Sequence, residues 1–85
     1  MKQRERQPEK KEIEEEERRV KTLRFLVDFS LAYLAQTKLS PEEAQAVVAG
    51  VKKRALHLFP AKEETFDLIY LPRFQRLLQD KYRLH

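Results

Sequence analysis

Eighty-five residues, no cysteine and a net charge of +4 bound the chain to one small domain without disulfides, thiol nucleophiles, cysteine zinc sites or iron–sulfur clusters. A unit of this size buries only about 60% of its unfolded surface, so self-association is an expected source of added stability. One glycine in the whole chain argues against a succession of tight hairpins, which draw on glycine for positive φ, and predicts an all-α fold.

Charge divides the chain near residue 20. Residues 1–19 form a charged arm with seven basic and seven acidic side chains, in which Ile13 is the single large aliphatic. Residues 20–85, the expected helical domain, hold eleven basic and seven acidic groups, so the whole positive excess sits in the apolar part. Pro8 suits a first helical position, and Glu14 with Arg18, Glu15 with Arg19 and Glu17 with Lys21 stand in acid-then-base spacing of four. Such pairs contribute only about 0.2–0.5 kcal/mol each, which predicts an arm that is helical and frayed or partly disordered.

Ile13, Val20, Val27 and Leu34 recur every seven residues with Leu23 on the same stripe, which predicts one helix from about Pro8 to Thr37. Its second half also carries Phe25, Leu26, Phe29, Leu31 and Tyr33 outside that stripe, leaving a polar edge at Lys21, Arg24 and Asp28. A helix apolar on most sides requires more than one neighbour. It is expected to be the central helix of the fold or the centre of a dimer. The apolar run Leu23–Ala35 spans 13 residues and is broken by Arg24, Asp28 and Ser30, whereas a membrane helix needs about 20, so no membrane span is expected. The charged opening has no apolar run of the kind a secretory signal carries. A cytoplasmic setting is expected.

Ser40-Pro41-Glu42-Glu43 is the strongest local signal. Ser40 can cap exposed amides, Pro41 pre-sets the first helical residue and Glu43 can reach back to the Ser40 amide, completing a capping box. Ala44, Val47, Val48, Val51, Ala55 and Leu58 then share one face. Lys52, Lys53, Arg54 and His57 occupy the last turns before Pro60, where the helix dipole favours cations. Ala46 and Gly50, four apart on the polar side, would permit close approach of another helix.

Pro60 and Pro72 bracket Ala61–Leu71, a predicted short helix with Glu63, Glu64 and Asp67 early in it. Pro72 removes an amide and disfavours helical geometry at Leu71, so a break or kink is predicted before a last helix from Pro72 to about Arg83. Phe74, Leu77, Leu78 and Tyr82 form its apolar face, while Arg73, Arg76 and Arg83 share another face with Asp80. Short connections imply antiparallel or steeply crossing neighbours.

Leu34–Ala44 resembles the opening of the helix-turn-helix in several small DNA-binding proteins and is loosely similar to the first helical pair of the histone-like HU proteins. A helix-turn-helix presents the start of its second helix to the bases. Here that start is Glu42 and Glu43, of the wrong sign for phosphate. The HU proteins continue into glycine-rich strands, and no glycine follows Gly50.

Catalysis finds no support. Ser30 lies within a helix, Ser40 is committed to a cap, and no glycine loop could cradle a phosphate. A metal would have to use Glu63, Glu64, Asp67 and His57, but the Glu-x-x-His spacing of helical carboxylate centres is absent and His85 is distant. No cofactor or small-molecule substrate is expected. The expected function is a non-enzymatic protein-interaction or regulatory module that self-associates or docks on a protein, with Val27, Leu31, Leu34, Phe74 and Tyr82 as apolar contacts and Arg73, Arg76 and Arg83 as a polar rim. The alternative is a sequence-tolerant nucleic-acid binder using Lys52, Lys53, Arg54, Arg73, Arg76 and Arg83.

Overall fold

The computed structural model describes residues 10–83, so the expected helix start at Pro8 and the terminal His85 lie outside the described residues. The fold is all-α: α1 (Lys10–Gln36), α2 (Pro41–Leu58), α3 (Glu63–Ile69) and α4 (Leu71–Tyr82). No strand occurs among the described residues.

Local chemistry sets most of the boundaries. The Ser40 amide donates to Glu43 Oε1 at 2.8 Å and the Glu43 amide donates to Ser40 Oγ at 3.1 Å, the reciprocal bonding of a capping box. At the other end of α2 the Phe59 amide still reaches the Ala55 carbonyl at 2.9 Å, and Pro60 then prevents continuation. The Lys62 amide bonds to the Phe59 carbonyl at 3.1 Å. That turn consumes Ala61 and Lys62, so α3 begins at Glu63, two residues later than the sequence predicts. Tyr70 keeps αR angles (φ −99°, ψ −39°) between α3 and α4. Of the break or kink expected at Pro72, the structure has the kink: Pro72 falls within the first two residues of α4, where its missing amide costs least.

Only one side of α1 is covered. Val27, Ser30 and Leu34 are buried against Ala44, Val48, Val51 and Ala55 of α2, Phe66 of α3 and Phe74 and Leu78 of α4. Along the seven-residue stripe, Val27 and Leu34 are enclosed, Val20 is half-buried and Ile13 is exposed. Lys10–Arg18 are all exposed. In this segment Arg19 pairs with Glu16 at 3.4 Å, at a spacing of three, rather than with Glu15.

Two residues of α4 fasten the α1–α2 connection. Lys81 Nζ donates to the carbonyls of Leu34 and Thr37, and the Tyr82 hydroxyl donates to the Leu39 carbonyl at 2.7 Å. These carbonyls belong to the last turn of α1 and the loop that follows, which lack helical partners.

Phe74 is among the largest wholly buried side chains. Phe74→Ala should cost about 3–5 kcal/mol, enough to leave a domain of this size largely unfolded when followed by far-UV circular dichroism. Lys81→Met keeps the aliphatic stem but removes charged donors from two carbonyls, so it should lower stability by about 1.5 kcal/mol in urea unfolding. An unchanged midpoint would show that the loop closes without Lys81.

Candidate interaction surface

Successive helical residues turn by about 100°, which places Phe25 almost opposite the buried Val27–Ser30–Leu34 side of α1. Phe25 and Phe29 are 69% and 58% exposed, and their rings stack at a centroid distance of 5.8 Å with planes 17° apart. Tyr33, one turn on, is also exposed. Three aromatics spaced by four thus form a ladder on the outward face.

Cations line both banks of the ladder. On one flank, Thr22, Phe25, Leu26 and Phe29 form a groove with Arg54, His57 and Leu58 of α2. On the other, Leu31 meets Pro72, Arg73 and Arg76 of α4, and Arg73 approaches Asp28 at 3.8 Å. Lys21 and Arg24, both exposed, add further positive charge from α1 itself. Asp28 is the acidic group of this face.

The structure redistributes the residues singled out as partner contacts. Val27, Leu34 and Phe74 are wholly buried in the chain's own core, so they have no surface to offer a partner; the heptad stripe faces α2 and α4 instead of another molecule. Leu31 is half-buried in the groove beside Arg73, and Tyr82 is half-buried and bonded to the loop. Arg73, Arg76 and Arg83 are exposed, with Arg83 just past α4 in the left-handed region at φ 53°. The surface that remains is Phe25, Phe29 and Tyr33. Its signal was in the sequence, as apolar residues spaced by four out of register with the stripe.

The basic run of α2 does not form one patch. Lys52 turns toward α3, where it meets Glu63 Oε2 at 3.0 Å and Asp67 Oδ1 at 2.9 Å. Arg54 turns toward α1 and Lys53 faces solvent between them. The expected grouping of Lys52, Lys53 and Arg54 for phosphate is therefore split three ways, with Lys52 already neutralised. Hydrogen bonds first to Asp67 and then to Glu63 raise the Lys52 pKa above the usual lysine value. Among the described residues, no three acidic or histidine groups converge as metal ligands, and no helix is long and apolar enough to cross a membrane.

A second apolar cleft lies where α1, α2 and α3 meet, lined by Val20, Leu23, Leu56, Phe59, Ile69 and Tyr70. The Arg19 guanidinium stands 5.8 Å from the Phe59 ring centre at its edge. Leu68 and Ile69 are exposed beside it.

Comparison with known proteins finds no family model that matches this chain, no curated protein similar to it and no solved structure similar to it.

The Lys52 cluster makes a pH-dependent tie between α2 and α3. Because the folded pKa is raised, its contribution is complete below the unfolded lysine value of about 10.4 and is lost as pH rises through the higher folded value. Urea unfolding between about pH 8 and 11.5 should therefore show a steeper alkaline fall in the unaltered protein than in Lys52→Met. Parallel curves would remove Lys52 from the account of stability.

Proposed function

We propose that this chain is a non-enzymatic helical interaction module that docks a protein partner on the outward face of α1. The observation that carries the reading is the stacked, exposed pair Phe25 and Phe29. A phenylalanine can bury about 200 Å², so covering the exposed part of each ring would contribute about 3 kcal/mol at about 25 cal/mol per Å². Two adjacent rings of this kind have the character of an interface centre, and Arg54, Arg73 and Arg76 around them that of its rim. Ser30 is buried and Ser40 caps α2, which supports a role without nucleophilic chemistry. The reading sets the module in the cytoplasm, a compartment that suits a cysteine-free chain.

Two measurements test this together. Phe25→Ala/Phe29→Ala should leave unfolding stability within about 0.5 kcal/mol of the unaltered protein, as for surface residues outside any structural role. A photo-crosslinking residue at position 25 should give a discrete protein adduct in cells that Phe29→Ala abolishes, whereas the same residue at the exposed Gln79 should not. Loss of more than about 2 kcal/mol in the double variant would assign the rings to the fold instead. Adducts with nucleic acid at position 25 would favour the nucleic-acid alternative.

A further inference from the structure

The chemistry of what covers the α1 face is set by the charge around it. Lys21, Arg24 and Arg54 are exposed, and among the described residues none of the three forms an ion pair. Lys52, on the α3 side of α2, is by contrast held by Glu63 and Asp67. Arg73 and Arg76 close the α4 side of the face, and its acid, Asp28, already leans toward Arg73 at 3.8 Å. Cations on both banks thus repel one another across an uncharged aromatic strip. A ligand that relieves this repulsion is apolar along its middle and acidic along both edges.

We infer that the α1 face takes an acidic amphipathic helix of another protein, seated in the groove between α1 and α2 with carboxylates against Lys21 and Arg24 on one edge and Arg54 on the other. The inference rests on the reading of the face as a docking surface and names the chemistry of the partner. Three observations favour a helix. Phe25, Phe29 and Tyr33 recur every four residues, about 6 Å apart along the axis, which matches the turn spacing of a helix laid alongside. The groove beside them, with the half-buried Leu26 and Leu58 in its lining, encloses about 300 Å³. That is the low end for a small-molecule site and suits a few apolar side chains of a partner. Ala46 and Gly50, two turns and one turn before Arg54, are exposed, and a Cβ on Gly50 would meet nothing of its own chain within 4 Å, so a third helix can come close to α2 there.

Other anions match the face less well. Phe25 and Phe29 already stack on each other, so one face of each ring is taken and no base can enter between them. Asp28 stands among the cations that phosphates would follow. A bilayer surface is flat, whereas α2 borders the rings to make a groove. Size sets the strength: the rings and their flanks keep the contact below about 1,200 Å² in total, the range of weak and transient association. Salt screens the charged edges and weakens binding, but the apolar centre retains part of it.

Titration of the isotope-labelled full chain with two synthetic peptides, followed by amide NMR, tests the assignment. Both peptides are helices of about 18 residues with a leucine face, an alanine and glutamine back, and charged flanks that are glutamate in one and lysine in the other. The acidic peptide should bind with a Kd of about 10–100 µM in about 0.1 M salt, about tenfold or more tighter than the basic one, and shift amides within residues 21–33 and 50–58. Phe25→Ala/Phe29→Ala should weaken that binding about tenfold while melting as the unaltered protein does. Arg24→Glu/Arg54→Glu should reverse the ranking and make the basic peptide the tighter ligand, a result that loss of folding could not produce. Equal affinity for the two peptides, a ranking that survives the charge reversal, or shifts confined to the cleft between α1, α2 and α3 would each overturn the inference. Tighter binding of a single-stranded thymidine oligonucleotide, or of phosphatidylserine vesicles, than of the acidic peptide would overturn it in favour of that ligand. A specific protein adduct at position 25 without binding of the acidic peptide would overturn this inference alone and leave the broader reading intact.

Discussion

Lys81 and Tyr82 fix the geometry on which the rest of the molecule depends. The last turn of α1 contains no basic residue and no glycine follows it to turn the chain back; the Thr37 amide still reaches the Tyr33 carbonyl at 2.9 Å, and the carbonyls beyond it depend on more distant donors. Lys81 brings three donors and a positive charge to that end from the far end of the chain, where the helix dipole also favours a cation. Tyr82 holds the next carbonyl, that of Leu39. With the connection fastened, α2 must return along α1, and α4 must lie where Phe74 and Leu78 fill the space between them.

That closed end leaves the other end of α1 bare. A helix of 27 residues is about 40 Å long, whereas the 18 residues of α2 reach only about 27 Å back along it. The cover therefore stops near Val20, and the charged arm extends beyond the bundle as a solvated helix. Around its circumference the same economy holds. α2 and α4 flank the buried side, and α3, tied to α2 by Lys52, meets α1 at Val20 and Leu23, so no described element covers the side that carries Phe25.

What the sequence revealed and what it hid follow from the range of the interactions involved. The capping box, the apolar face of α2 and the proline breaks depend on residues within four positions of one another, and they are legible in order. The heptad stripe is legible as an apolar strip, but its periodicity is the same whether it faces α2 or another molecule. From sequence Val27 and Leu34 therefore read as partner contacts, although they are core. Their burial is what releases the second apolar strip, Phe25 and Phe29, as surface. The ties from Lys81 and Tyr82 join residues more than forty positions apart and have no local signature. Lys52 illustrates both cases: its place near a helix end is visible, but Glu63 and Asp67 read only as acids early in the next helix, and the packing brings the three together.

An exposed aromatic strip on a small basic protein carries a hazard, because apolar surface that is complementary to more than one target leads to open-ended association. The charges around Phe25 and Phe29 lessen that hazard: Lys21, Arg24, Arg54 and Arg73 stand on both sides of the rings, so a second copy of the same face meets like charge. The cations that flank the outward face of α1 therefore lend selectivity to an interaction whose driving force, the burial of aromatic surface, has no direction of its own.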